Sequence, residues 1–160
     1  MIDAINIMKG TPCAKAMIKG SDSYPCIKGE VRFYQTDMGV LVSAEICGLP
    51  KCQSGCRTDI FAFHLHEGRC CCGNGEDAFA NAKMHYNPKD CQHPYHAGDM
   101  PPLWGNKGYA FSAFLTDRFC VNEIIGRTLI IHAMPDDFMT QPSGNAGEKI
   151  ACGVVEKCCR

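Results

Sequence analysis

The chain has 160 residues, with 16 Lys and Arg against 17 Asp and Glu. That is the size and charge balance of one ordinary domain, and we expect a single domain over residues 1–160. A formal charge of −1 with no run of Lys or Arg excludes a polyanion-binding surface, so no nucleic-acid partner is expected, and 46% hydrophobic with 21% charged residues excludes a disordered chain.

No segment approaches the roughly 18 apolar residues that span a bilayer, so no membrane partner is expected either. Met1 to Lys9 has no basic start, apolar run or small-residue cleavage site, which predicts a cytoplasmic protein, or an extracytoplasmic one if a leader has been removed. The abnormal number is 13 cysteines. It is odd, so at least one thiol is free, metal-bound or paired between chains.

In chain order, strand-like runs fall at 31–34 and 40–46, joined through Thr36-Asp37-Met38-Gly39 as a hairpin, with Val40, Val42, Ala44 and Ile46 sharing one face at period two. Further runs follow at 60–66, 109–115, 127–133 and 149–155, and no helical pattern of comparable length competes. The segments 67–108 and 134–147 are too long for plain connections, since structureless loops above about 12–15 residues are usually functional or disordered. The reading is all-β, a sandwich or barrel with two elaborated loops.

The six histidines lie in three places: His64 and His66 on one strand, His85, His93 and His96 in the long loop, and His132 at the end of a later strand. In a strand, residues i and i+2 share a face, so His64-Leu65-His66 aims two imidazoles at one point while Leu65 enters the opposite side. An exposed, unrelated pair is the bland alternative. The loop set His85, His93, His96 and Asp99 supplies three imidazoles and a carboxylate, the donors that fill a tetrahedral zinc site.

The motifs Phe63-His64-Leu65-His66-Glu67, His85-Tyr86-Asn87-Pro88, His96-Ala97-Gly98-Asp99-Met100-Pro101, Gly126 to Ala133, Gly144-Asn145-Ala146-Gly147 and Ile150-Ala151-Cys152-Gly153 occur together in this order. In them the chain resembles the copper/zinc superoxide dismutases. The resemblance implies an eight-stranded Greek-key β-barrel whose two long loops build a two-metal site. It implies His64, His66, His85 and His132 as copper ligands, and His85, His93, His96 and Asp99 as zinc ligands, with His85 bridging. Asp136 matches the carboxylate that links a copper-ligating and a zinc-ligating histidine, fixing tautomer and ring orientation. Copper and zinc are the implied cofactors, superoxide anion the implied substrate, and a homodimer the implied assembly. Four imidazoles suit copper, which exchanges single electrons, whereas zinc does not change oxidation state. His85 and Lys149 are the implied catalytic side chains.

Three features depart from the family pattern. Lys149 stands where the family usually has Arg, keeping the charge that draws in an anion but losing the planar fork. Only Pro94 and Tyr95 separate His93 from His96, fewer residues than usual, which predicts strained zinc geometry. The family's disulfide implies Cys152 on the strand side, and on the loop side one of Cys70, Cys71 and Cys72, of which Cys70 best matches the spacing after Gly68. Cys13, Cys26, Cys47, Cys52, Cys56, Cys91, Cys120, Cys158 and Cys159 have no family role. Extra disulfides or small buried side chains is the simpler reading for them. A thiolate site drawing on Cys52 and Cys56, Cys158 and Cys159, and the Cys70 to Cys72 run would instead suit a non-catalytic protein that sequesters or delivers copper or zinc.

Overall fold

The computed structural model describes residues 2–51 and 59–158, so Cys52, Cys56 and Cys159 of the candidate thiolate site lie outside the described residues. Seven strands form one antiparallel sheet. They are β1 (Ala14–Gly20), β2 (Lys28–Thr36), β3 (Gly39–Cys47), β5 (Phe63–His66), β7 (Tyr109–Thr116), β8 (Thr128–His132) and β9 (Lys149–Lys157), in the order β5-β8-β9-β1-β2-β3-β7. A second pair, β4 (Ile60–Phe61) with β6 (Leu103–Trp104), links the sheet's two ends, because β4 leads into β5 and β6 into β7. The helices α1 (Ala4–Met8) and α2 (Val121–Ile124) are single turns. Among the described residues no helix is long and apolar enough to cross a membrane.

Among the described residues there are nine strand segments, where the resemblance implies eight strands. The difference lies at Ala62, where the run 60–66 changes partners: Ile60 faces Trp104 on β6, whereas Phe63 faces Ile131 on β8. Ala62 bridges the change, donating to Met134 O at 2.8 Å and accepting from His132 N at 2.9 Å. The hairpin of β2 and β3 closes at Thr36 opposite Gly39. Gly39 has φ +121°, and a Cβ there would sit 2.4 Å from Thr116 O, so only glycine fits.

Alternation fills the interior. Ala14, Ala16 and Ile18 from β1 meet Val31 and Phe33 from β2, Phe63 and Leu65 from β5, Leu129 and Ile131 from β8, and Ile150 from β9 in one continuous core. Leu65 is in that core, while His64 and His66 face the other side. They too are buried, because the long loop covers them. β5 is a sheet edge, and an edge strand leaves backbone groups unpaired. Residues of the loop satisfy them: Leu65 N donates to Gly98 O at 2.9 Å, Tyr86 N to Leu65 O at 2.8 Å, and Glu67 N to Met84 O at 2.9 Å. The loop is therefore laid against β5 in register, with His85 bridged to His66 and Asp99 to His64.

The disulfide expectation for Cys70 is corrected. Cys71 bonds Cys152, and Cys70 bonds Cys72. The chain bends at Cys71, which turns toward Phe79, Ala82, Ile130 and Cys152, while Cys70 and Cys72 on either side are exposed and bond each other. Family spacing could not fix that direction.

Candidate metal centre

Two groups of ligand atoms converge. His64, His66, His85 and His132 form one, and His85, His93, His96 and Asp99 the other, with the ligand atoms of each group within 4.8 Å of one another and every residue buried. His85 belongs to both. Its Nδ1 lies 2.7 Å from Asp99 Oδ1 and 3.4 Å from His96 Nδ1, and its ring centroid lies 4.0 Å from that of His64.

In the first group one nitrogen of each of three rings is fixed from behind. His66 Nδ1 donates to Lys83 O at 2.8 Å, His132 Nδ1 to Gly147 O at 3.1 Å, and His64 Nε2 to Asp136 Oδ2 at 2.8 Å. Each bond sets the tautomer, leaving a lone pair on the other nitrogen. Those nitrogens, His64 Nδ1, His66 Nε2 and His132 Nε2, together with His85 Nε2, are buried without a hydrogen-bond partner. Four orphaned acceptors in one place would be costly unless a cation satisfies them. Burial keeps these rings neutral: it lowers the pKa of His64, pushes His66 well below its ordinary value and takes His132 down to about 3, with neighbouring imidazoles adding to the effect in each case.

In the second group Asp99 is the hub. Its carboxylate lies 3.1 Å from His93 Nδ1 and 3.3 Å from His96 Nδ1, in addition to the bond from His85. Burial raises its pKa, but the bond from His85 and the surrounding imidazoles hold it below the ordinary carboxylate range. Across the two-residue spacer Pro94-Tyr95, the ring centroids of His93 and His96 are 5.5 Å from each other.

Asp136 joins the groups, receiving His64 Nε2 on one oxygen and His93 Nε2 on the other, at 2.9 Å. These bonds and one from Phe138 N outweigh the effect of burial and take its pKa down to about 2. Gly144 makes room for it. With φ +72°, a Cβ there would lie 1.9 Å from Asp136 Oδ1 and 2.8 Å from His93 Nε2.

Two further positioning residues escaped the sequence reading. Arg118 Nη1 reaches the carbonyls of Pro94, His96 and Asp99 at 3.1–3.2 Å, cinching the loop that carries four of the candidate ligands. Gln141 donates to His93 O at 2.7 Å and accepts from His93 N at 3.1 Å, tying the second loop to the first. Neither has a sequence signal, because both act on backbone atoms distant along the chain. Lys149 lines a cavity of about 430 Å³ with His66, His85 and His132. It is half-withdrawn, bonded to Asp77.

The orphaned nitrogens, the carboxylate hub and the shared histidine define a β-barrel metalloprotein with two adjoining ion sites, one all-imidazole and one mixed. Comparison with known proteins gives the particular family. The model of the copper/zinc superoxide dismutases matches residues 27–155. Two curated relatives from Aquifex aeolicus, superoxide dismutase [Cu-Zn] 1 and 2, are 36% and 34% identical to this chain, covering 80% and 79% of it and 79% and 78% of their own lengths. One from Legionella pneumophila is 33% identical over 82% of the chain and 80% of its own length. The solved structure of the Cu/Zn superoxide dismutase from Brucella abortus shares the fold, with a TM-score of 0.73 at 23% identity, over 89% of this chain and 99% of that one. The chain belongs to the copper/zinc superoxide dismutase family.

Proposed function

We propose that the protein is a superoxide dismutase, converting two superoxide anions and two protons into oxygen and hydrogen peroxide. The observation that carries this is the set of four partnerless, buried imidazole nitrogens, with three of the rings, His66, His85 and His132, lining an open cavity. Both donor sets fit their ions: four nitrogens for copper at His64, His66, His85 and His132, and three nitrogens with one carboxylate for zinc at His85, His93, His96 and Asp99. Bound copper would supply one-electron chemistry in both directions, and zinc a fixed charge without redox change.

The chain's own residues do the rest. His85, the one side chain shared by both donor sets, would pass a proton to the product. Asp136, Lys83 O and Gly147 O keep the other rings turned toward one point before any ion arrives, so little reorganisation is needed. Lys149 supplies a cation at the cavity wall for the anionic substrate. The sequestration alternative gains no support: among the described residues no group of three candidate ligands includes a thiol. Assembly as a homodimer is part of this reading, supported by the outward Tyr109, Phe111 and Leu115 of edge strand β7, and sedimentation would test it.

The test of activity is direct observation of superoxide decay with protein reconstituted with copper and zinc. Acceleration far above buffer is expected, and its loss in His64→Ala. Decay at the buffer rate with both ions bound would overturn the proposal.

A further inference from the structure

The charged residues at the cavity mouth do not add up to an anion funnel. Lys83 and Lys149 stand against Glu76, Asp77 and Glu148, two cations against three carboxylates. The Lys149 ammonium is already engaged. Its Nζ lies 2.5 Å from Asp77 Oδ2 and 3.4 Å from Phe79 O.

Asp77 is held from several sides. Its Oδ1 accepts from Phe79 N at 2.9 Å, and its own N–H donates to Asn74 Oδ1 at 3.0 Å, an oxygen that also takes Glu76 N. Asn74 N in turn donates to Asp77 O at 2.9 Å. This turn belongs to the segment tied down by Cys71 and Cys152. Burial raises the carboxyl's pKa, but the bonds from Lys149 and Phe79 N bring it below the ordinary value, so it is ionised at neutral pH. The carboxylate is thus held in the wall by bonds that do not involve the lysine.

Building on the dismutase reading, we infer that Asp77 sets the site's response to anions, holding Lys149 in a neutral pair that an incoming anion must break before the ammonium can serve it. Lys allows this where a planar guanidinium would not do so equally. An ammonium offers three donors around one point charge and can exchange a carboxylate for a small anion by turning about its stem. The pair therefore disfavours weakly binding anions, and it removes most of the attraction that Lys149 would exert at long range.

Three measurements on Asp77→Asn and Asp77→Glu test this. In the first, azide is titrated into the copper- and zinc-loaded protein and followed by visible absorption. Asp77→Asn should bind it roughly three- to tenfold more tightly, from the loss of one nearby charge, with Asp77→Glu close to the parent. In the second, ionic strength is varied during superoxide decay. The parent rate should change little, and the Asn variant's should be higher and fall with salt. In the third, the metal-free protein is treated with an amine acylating reagent and mapped by mass spectrometry. Lys149 should react severalfold faster in the Asn variant, while the exposed Lys28 stays unchanged.

Parent-like azide affinity, salt slope and Lys149 reactivity in Asp77→Asn would overturn the inference. So would an unchanged gain in azide affinity on adding Asp77→Asn to Lys149→Ala, because Asp77 would then act without the lysine. Superoxide decay at the buffer rate in the parent and every variant would overturn the dismutase reading alone, while azide binding and acylation would still decide the role of Asp77.

Discussion

Breaking the bond between Cys71 and Cys152 should cost more stability than any other single change outside the core. The two residues are 81 positions apart. In the chain-entropy model a closed loop of that length is worth about 4–5 kcal/mol, whereas the three-residue loop of Cys70 and Cys72 is worth on the order of 1–2 kcal/mol. For a chain of this size, about 2–4 °C per kcal/mol converts the first figure into a fall of roughly 8–20 °C in melting temperature. The comparison is Cys71→Ser against the double variant Cys70→Ser with Cys72→Ser, all metal-free and without reductant, by urea titration and thermal unfolding. Cys71→Ser should lose most of the stated amount, because Cys70 and Cys72 face solvent and Cys71 alone turns toward Cys152. The double variant should stay near the parent. Equal losses in both, or a Cys71→Ser protein as stable as the parent, would refute the argument from side-chain direction.

Gly144→Ala should lower zinc affinity and destabilise the protein by about 1–3 kcal/mol, since the new Cβ meets Asp136 at a φ that L-residues avoid; competition with a chelator measures the first and urea the second. Asp136→Asn replaces one acceptor oxygen by a donor and should weaken binding of both ions by roughly 10–100-fold, read by the same competition. The metal-free protein should weaken in acid. With His132 at about 3 and His64 and His66 also lowered, the unfolded chain binds more protons below its ordinary histidine value of about 6.5, so this stability is complete above that pH and is lost as pH falls toward 3. A urea midpoint that does not change between pH 7.5 and 5 would count against the buried, neutral state of these rings.

Much of the site was legible because its donors come in short, ordered motifs. His64 and His66 share a face by strand geometry, and the loop set is concentrated within fifteen residues. What joins these pieces was not legible. β1 escaped the reading although Ala14, Ala16 and Ile18 alternate with Lys15, Met17 and Lys19, because alanine has little strand preference of its own and the pattern's meaning comes from the strands packed against it. The segment 67–108 reads as turns and polar residues because its backbone partners lie on β5 and on the loop itself, not in any periodicity. Arg118 and Gln141 grip carbonyl and amide groups, which carry no residue identity. The pair of Asp77 and Lys149 spans 72 positions. The Asp lies in a turn and the Lys at a strand start, and only the closed barrel brings them face to face.

The hydrogen bonds behind the ligands explain how so many imidazoles are packed together before any ion binds. Each supporting group comes from a segment different from that of the ring it holds. Lys83 in the first loop supports His66 on β5, Gly147 at the end of the second loop supports His132 on β8, and Asp136 in the second loop supports both His64 on β5 and His93 in the first loop. A ring that moves must therefore take a second segment with it, so the rings cannot relax independently to relieve their orphaned nitrogens. The cost of keeping four acceptors unpaired is shared by the β5–β8 pairing, the Cys71 tether and the Arg118 and Gln141 clasps. Ion binding removes that cost without rebuilding the framework, so the gain in folding stability on adding metal should be large while the backbone changes little.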